Sequence, residues 1–323
     1  MKRQHAKWLA ASLFTAQSFL PVQAADPLTG KEAAAFLQRM SDAARRVAYE
    51  GVFVVQHGTA MQTLSIENRP IGGGKESRLA AMDGVQREVR CSVNGSISQV
   101  TEGGQIRLEK RLNNRHFPDL LPANAAVLAN WYGVKLGDFA RVAGLECRQV
   151  ELIPKDEFRW GYLLCADKDS GLPLKAAMIN ESGQPLMQYA FAEVRIGGIP
   201  RTATQAKTAH PILPASTRPI EVESVSLKSL PPGFTRVTAI KRTLPNKTGE
   251  VEHWVFSDGL THISLFLEPA VQPVESVRGQ SKQGMINLAK RQVGQMQATI
   301  IGDAPWAAIE AIAMGLEPRR MAP

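Results

Sequence analysis

Four short strand patterns in a row, between Cys147 and Phe191, restrict the fold more than any other part of the sequence. Apolar residues alternate with polar ones in these segments, and turn-forming residues separate them. The turns at Asp169-Ser170-Gly171 and Asn180-Glu181-Ser182-Gly183 are short enough to join neighbouring antiparallel strands. Because such a meander buries one face and exposes the other, it predicts a sheet that packs against an apolar layer.

The beginning of the chain has a different character. Three basic residues precede an apolar run from Trp8 to Leu20, and Val22-Gln23-Ala24 provides a small-residue cleavage pattern. Residues 1–25 are therefore predicted to be a secretory signal peptide. A membrane anchor is the alternative, but the apolar run is shorter than the roughly 20 residues that a spanning helix needs.

The net charge limits which partners are expected, and the cysteines limit which disulfides can form. The chain has a net charge of +8, but no run of Lys and Arg interleaved with aromatic residues, so nucleic acid is not expected as a partner. An acidic protein or an anionic lipid headgroup fits better, and a basic surface that only maintains solubility is the alternative. Cys147 and Cys165 could face each other across neighbouring strands of a predicted hairpin, and whether they form a disulfide stays open. Cys91 is expected to be a buried free thiol.

A helix followed by a meander is predicted for the first domain. Thr29 and Glu32 form a capping box, and apolar residues recur at helical spacing from Ala33 to Val47. From Tyr49 the apolar period changes to two. Strands are predicted at 49–55, 61–67, 87–93, 96–101 and 106–110. Residues 113–140 are interpreted as a loop with a short helix.

A second, smaller domain is predicted after a linker over residues 200–216, which is rich in Pro, Thr and Ala. The domain covers residues 217–323. Its predicted strands are 220–227, 235–242, 251–257, 261–267 and a pair around 289–301. A helix over residues 305–314 follows, with Asp303 as its expected N-cap.

No sequence motif identifies an enzyme. Gly72-Gly73-Gly74-Lys75 lacks the first Gly and the final Ser or Thr of a phosphate-binding loop, so we interpret it as a flexible loop. The pattern Gly-x-Ser-x-Gly is absent, and the histidines have no zinc-protease spacing. No catalytic residue, metal site or cofactor is therefore assigned. A secreted hydrolase that uses one of the histidines is the weakest alternative.

Apolar residues of the first domain are candidates for the lining of a lipid cavity, because the sheet is predicted to curve and few helices are available to cover it. A filled core is the alternative for the same residues. The candidates are Val52, Val54, Leu64, Leu79, Val89, Ile97, Leu108, Leu121 and Trp131.

Several longer segments match one known family, in the same order along the chain. They are Tyr49-Glu50-Gly51-Val52-Phe53-Val54, Met82-Asp83-Gly84 with Arg87-Glu88-Val89, Pro154-Lys155-Asp156 with Arg159-Trp160-Gly161-Tyr162, Asp169-Ser170-Gly171-Leu172-Pro173-Leu174, and Phe256-Ser257-Asp258-Gly259-Leu260. In these segments the chain resembles the MucB/RseB family. The resemblance implies an α+β fold of mostly antiparallel β structure. Residues 26–199 would form a half-open β-barrel wrapped on a helix, similar to LolA and LolB, and a smaller α+β domain would follow over 217–323.

The resemblance also implies a function and partners. Members of the family are periplasmic negative regulators of the envelope-stress response. They bind the periplasmic domain of a transmembrane anti-sigma factor, shield it from the site-one protease, and are thought to sense lipid or lipopolysaccharide. Much of the anti-sigma contact would fall on the smaller domain. The candidates there are Trp254, Phe256, Ile263 and Leu265. Self-association is left open, and a soluble carrier of lipid or lipoprotein is the alternative function.

Overall fold

The structure is a computed structural model that describes residues 27–72, 74–92, 95–102, 105–111, 115–198, 217–244, 249–271, 276–280 and 285–319. Only the backbone is described between residues 92 and 111. The predicted signal peptide (1–25) and the predicted linker (200–216) lie outside the described residues.

The first part of the chain forms one antiparallel sheet, which in the described residues has eleven strands. They are β1 (Tyr49–His57), β2 (Ala60–Ile71), β3 (Gly74–Ala81), β4 (Gln86–Ser92), β5 (Gly95–Glu102), β6 (Gln105–Arg111), β7 (Tyr132–Val142), β8 (Leu145–Pro154), β9 (Gly161–Asp167), β10 (Pro173–Ile179) and β11 (Pro185–Ile196). We call this sheet, with the helix that it covers, the large domain.

The order of these strands is β6-β5-β4-β3-β2-β1-β11-β10-β9-β8-β7. The chain runs outward from β1 to β6, continues at the opposite edge with β7, and returns strand by strand to β11. Strand β11 then pairs with β1, with Val54 opposite Ala190. The predicted meanders are confirmed, and the sheet stays open because β6 and β7 form two separate edges.

One helix packs on the inner face of this sheet. Helix α1 (Gly30–Arg46) begins at the predicted capping box: Thr29 N–H donates to Glu32 Oε2 (3.0 Å), and Glu32 N–H donates to Thr29 Oγ1 (3.5 Å). Its buried residues recur at helical spacing and include Ala33, Leu37 and Met40. The predicted amphipathic helix is confirmed. A 3₁₀ helix (Ala125–Asn130) lies beside it.

The second part of the chain forms what we call the small domain. Its strands are β12 (Thr217–Pro219), β13 (Val225–Leu227), β14 (Thr235–Thr243), β15 (Glu250–Ser257), β16 (His262–Pro269), β17 (Val277–Gln280), β18 (Asn287–Val293), β19 (Met296–Gly302) and β20 (Leu316–Pro318). Seven of them form a sheet in the order β12-β14-β15-β16-β19-β18-β17, while β13 pairs with β20. Helix α2 (Trp306–Gly315) buries Ala308, Ile309 and Ile312 against one face of the larger sheet.

Two strands were missed in the large domain. Strand β3 begins at Gly74, so Gly74 and Lys75 of the segment interpreted as a flexible loop belong to a strand, and β7 begins in the second half of 113–140. The alternation in β7 is obscured because Gly133 and Gly137 leave gaps in the apolar pattern and a bulge shifts the register between Leu136 and Phe139.

Two details of the small domain also differ from the predictions. Of the strand predicted at 220–227, only the last three residues form a strand, since β12 ends at Pro219 and β13 begins at Val225. Asp303 is not an N-cap: α2 follows Pro305 without a side-chain cap, and Asp303 Oδ1 instead accepts a hydrogen bond from the backbone N–H of His262 (2.9 Å).

The cysteine question is answered by the pairing of β8 with β9. Cys147 and Cys165 form a disulfide, with their Cα atoms 5.4 Å apart. They are diagonal neighbours, because Cys147 lies opposite Asp167 and Cys165 lies opposite Gln149. Cys91 is buried, as predicted, and takes no part in this disulfide.

Candidate partner-binding cleft

The two faces of the small domain's sheet have different surroundings. On β15 and β16, every second side chain points toward α2, because side chains alternate along a strand. Trp254, Phe256, Ile263 and Leu265 are on this face and are fully buried in the core of the small domain. The four residues named as partner-binding candidates therefore pack the core. The residues that alternate with them point to the opposite side of the sheet.

Those alternating residues form the floor of a cleft of about 780 Å³ between the two domains. His253, Val255 and Ser257 of β15 and Ser264 of β16 belong to the floor, together with Thr235, Val237 and Thr238 of β14. The opposite wall comes from the large domain and consists of Arg115, Pro122, Val127 and Trp131. Trp131, a candidate for the lipid cavity, thus lies in this cleft. The lining is mostly apolar, which suits the side chains of a protein segment.

A buried arginine closes one end of the cleft. Arg159, in the loop between β8 and β9, has no solvent-exposed side-chain surface. Its guanidinium donates to Asp156 in its own loop (2.9 Å), and to Asp258 (3.2 Å) and the carbonyl of Pro232 in the small domain. The rings of Trp131 (5.2 Å) and Phe234 (5.5 Å), one from each domain, lie within cation–π distance.

Two glycines allow the domains to approach closely at this point. Gly233 has φ of +79°, and a Cβ atom there would lie 2.5 Å from Trp131 Cε2. Gly259 has φ of +106°, and a Cβ atom there would lie 3.0 Å from Pro122 Cγ. Both positions therefore require glycine for conformation and for space.

A second arginine joins the domains on the other side of the cleft floor. Arg115 donates to the carbonyl of Leu120 in the large domain (3.2 Å) and to the carbonyl of Gly259 in the small domain. Its Nη2 atom lies 3.2 Å from His262 Nε2. Burial, and then the Arg115 charge, lower the pKa of His262 to about 4, so this histidine is neutral at neutral pH.

Three further acidic or basic groups near the junction have shifted pKa values. Burial, and then the Arg242 charge, lower the pKa of His253 to about 4. Burial raises the pKa of Asp258, although hydrogen bonds from the backbone N–H groups of Thr261 and Leu260 oppose it. Desolvation raises the pKa of Asp303 to about 6, although the hydrogen bond from the backbone N–H of His262 opposes this shift.

The lipid-cavity candidates do not share one face of the large domain. Leu64 and Leu79 are on the inner face, beneath α1, and Val89 and Leu121 are also buried in the same core. Val52 and Val54 alternate with the buried Phe53 and therefore lie on the outer face of β1. Ile97 pairs with Arg90 and Leu108 pairs with Gln99, and their side chains lie outside the described residues.

Aromatic rings fill the inner face next to β1. Phe117 lies 5.0 Å from Phe53 and 5.1 Å from Phe191, measured between ring centroids, and it stacks on Tyr189 at 5.4 Å. Phe53 and Phe117 are fully buried. Among the described residues, packed side chains therefore fill the inner face next to β1.

Charged residues border this aromatic group. The buried carboxylate of Asp119 pairs with Arg45 of α1 (2.8 Å) and with Lys75 of β3. Two cations thus share one anion, and the cluster has a net positive charge. Within the described residues, no group of three His, Cys, Asp or Glu side chains is arranged to hold a metal ion, and no helix is long and apolar enough to cross a membrane.

Sequence reasoning missed the residues that join the domains. Arg159 and Asp258 each belong to one of the segments that resemble the MucB/RseB family. These two segments meet in space at the junction. Their pairing was not visible because 99 residues separate them in the chain.

Comparisons with known proteins identify the family. The model of the MucB/RseB N-terminal domain matches residues 32–214, and that of the MucB/RseB C-terminal domain matches residues 220–317. The chain belongs to the MucB/RseB family. The resemblance found in the sequence and the mostly antiparallel β fold with few helices are thus confirmed.

Members of the MucB/RseB family resemble this chain over nearly its whole length. The sigma factor AlgU regulatory protein MucB of Pseudomonas aeruginosa is 30% identical over 298 residues, which cover 90% of this chain and 92% of that protein. The sigma-E factor regulatory protein RseB of Escherichia coli K12 is 26% identical and covers 92% and 93%. The complex structure of Pseudomonas aeruginosa MucA/MucB matches with a TM-score of 0.71 at 26% identity, covering 90% of this chain and 100% of that chain.

Proposed function

We propose that this protein is a periplasmic negative regulator of the envelope-stress response, which binds the periplasmic domain of a transmembrane anti-sigma factor. The observation that carries the proposal is the cleft, because both domains line it and its floor exposes the small and apolar residues of β14 and β15. The relative MucB has been solved together with MucA, and the present fold matches that complex over 90% of the chain.

Binding in the cleft would protect the anti-sigma factor from the site-one protease. A protease must place an extended segment in its own active site, and a segment held between Trp131 and Val255 is not available for this. Only the unbound fraction of the anti-sigma factor would be cleaved, so the degree of protection would depend on the affinity and the concentrations of the two proteins.

Lipid or lipopolysaccharide would release the segment through the loop at residues 115–122. Phe117 and Asp119 of this loop face the core beneath α1, whereas Arg115 and Pro122 face the cleft. An acyl chain that enters the large domain and displaces Phe117 would move the cleft wall. The cations Arg45 and Lys75 beside Asp119 suit the phosphates of such a ligand. The ligand shifts the equilibrium only by its difference in affinity for the two arrangements.

The test is a binding experiment with residues 26–323 and the periplasmic domain of the anti-sigma factor from the same organism. We expect binding without lipid, slower cleavage by the site-one protease in the complex, and release when lipopolysaccharide is added. The same polysaccharide without its acyl chains is the control and should release nothing. Absence of binding in the lipid-free protein would contradict the proposal and favour a lipid carrier.

A further inference from the structure

The edge of the small domain's sheet is only partly paired beside the cleft. Strand β12 pairs with β14 at Thr217–Arg242, Arg218–Lys241 and Pro219–Ile240, and the chain then leaves the edge. Within the described part of the chain, Thr235 to Ala239 therefore have a strand neighbour only on the side of β15. Their outward backbone groups are a template for a further strand.

The side chains at this edge are exposed and face the cleft. Val237 is 55% exposed, which is unusual for an apolar side chain in a sheet, and Thr235, Val237 and Thr238 all line the cleft. A bulge between Arg236 and Thr238 leaves Val237 without a partner on β15. The bulge turns this side chain away from the regular ladder, as bulges at sheet edges often do.

The potential beside this edge is positive. Arg242 lies close enough to His253 to contribute to the lowering of its pKa, and Arg115 has the same effect on His262. Arg242 Nε and His253 Nδ1 are buried and have no hydrogen-bond partner among the described residues. Two acids of the small domain already have cationic partners, since Asp258 pairs with Arg159 and Glu223 pairs with Arg236.

We propose that the cleft binds an acidic, extended segment, which adds to the sheet as a strand along Thr235 to Ala239 of β14. Alternate apolar side chains of the segment pack against Val237, Val255 and Trp131. Its carboxylates lie in the positive potential of Arg115, which lines the cleft, and of Arg242 beside His253. Backbone hydrogen bonds to the edge provide affinity, and the pockets for alternate side chains provide specificity. The inference rests on the proposed function, with the anti-sigma factor as the source of the segment.

A second copy of this chain is a poor occupant of the same edge. Two β14 edges in contact along Thr235 to Ala239 would bring together the Arg236 side chains of both copies, and like charges on neighbouring strands are destabilising. The bulge at Val237 also disturbs the regular ladder that two identical edges would need. Charge complementarity therefore selects an acidic partner.

Backbone hydrogen exchange tests the inference directly. Residues 26–323 are compared with and without the periplasmic domain of the anti-sigma factor, and amides from Thr235 to Ala239 are followed by mass spectrometry. We expect the partner to slow exchange at these amides. The amides of β17, at the opposite edge of the same sheet, serve as the internal reference.

Substitutions at the two edges provide matched variants. Val237→Asp should weaken binding by about tenfold or more, equivalent to about 1.4 kcal/mol, because it places a negative charge against an acidic segment. Val277→Asp is the control, since Val277 is 44% exposed on β17. Val237→Lys removes the same apolar contact but adds a cation, so it should bind more tightly than Val237→Asp. Circular dichroism of each variant verifies folding.

The outcomes separate this inference from the proposed function. Slower exchange at Thr235 to Ala239, together with tighter binding by Val237→Lys than by Val237→Asp, supports strand addition of an acidic segment. Binding of the anti-sigma domain without protection at these amides, or equal affinity of the two Val237 variants, would overturn the inference and leave the proposed function intact. No binding at all would overturn both.

Discussion

The two sheets of this protein differ in how their faces are covered. The inner face of the large sheet is packed by α1 and by the aromatic group around Phe117. The small sheet is packed by α2 on one face only, and its other face is the floor of the cleft. Covering a face stabilises a domain by burying apolar area, whereas leaving a face half-covered keeps that area available for a partner. The small domain therefore contributes the floor of the cleft, and the large domain contributes the opposite wall.

The largest expected effect is the difference in stability loss between a substitution on the filled inner face of the large sheet and one on the cleft face of the small sheet. Phe53→Ala removes a fully buried ring and should lower the free energy of unfolding by about 4 kcal/mol, because it leaves a cavity. Val255→Ala, on the cleft floor, should lower it by less than about 1.5 kcal/mol yet weaken binding of the anti-sigma domain. Urea unfolding and calorimetric titration measure the two quantities. A larger stability loss for Val255→Ala would contradict the comparison.

The junction between the regions is tested by Arg159→Ala. The change leaves the buried Asp258 carboxylate without its cation and should lower the free energy of unfolding by about 3 kcal/mol. Arg218→Ala is the control, since the Arg218–Glu250 pair is exposed and its loss should have little effect on the free energy of unfolding. Adding Asp258→Asn to Arg159→Ala should recover part of the loss, because no buried charge then remains unpaired.

A smaller effect is expected in the pH dependence of the small domain. The pKa of Asp303 is raised to about 6 in the folded state, so the folded protein holds this proton more tightly than the unfolded chain. The resulting stability is fully present below the ordinary pKa of 3.8 and is lost as the pH rises through about 6. Asp303→Asn cannot titrate and still accepts the His262 N–H.

The free energy of unfolding of Asp303→Asn, relative to that of the parent, should therefore rise by about 1–2 kcal/mol when the pH is raised from about 4 to about 7.5. Urea unfolding at both pH values measures this difference. His253 and His262 act in the opposite direction in both proteins, since their lowered pKa values cost stability as the pH falls below 6.5. Asp138→Asn, at an exposed position of β7, is the control for the loss of one carboxylate. An unchanged difference between the two pH values would contradict the prediction.

The smallest effect belongs to the start of α1. Thr29→Ala removes the side chain that accepts the Glu32 N–H and should lower the free energy of unfolding of the large domain by about 1 kcal/mol. Thr59→Ala, in the exposed turn between β1 and β2, is the control and should have little effect. Thermal unfolding followed by circular dichroism distinguishes the two.

Local patterns in the sequence were sufficient for much of this structure. The capping box at Thr29, the alternation in β8 to β11 and the short turns between these strands act over a few residues, so they can be recognised without knowing the rest of the chain. Matching segments along the chain also identified the MucB/RseB family.

Only the tertiary structure decided which face of each strand is available. Alternation showed that Trp254 and Val255 lie on opposite sides of β15, but the position of α2 determines that Trp254 is buried and that Val255 faces the cleft. The same holds for Arg159, whose partner Asp258 comes from a distant part of the chain. A pattern records what one segment prefers locally, whereas burial and pairing depend on which other segments are packed against it.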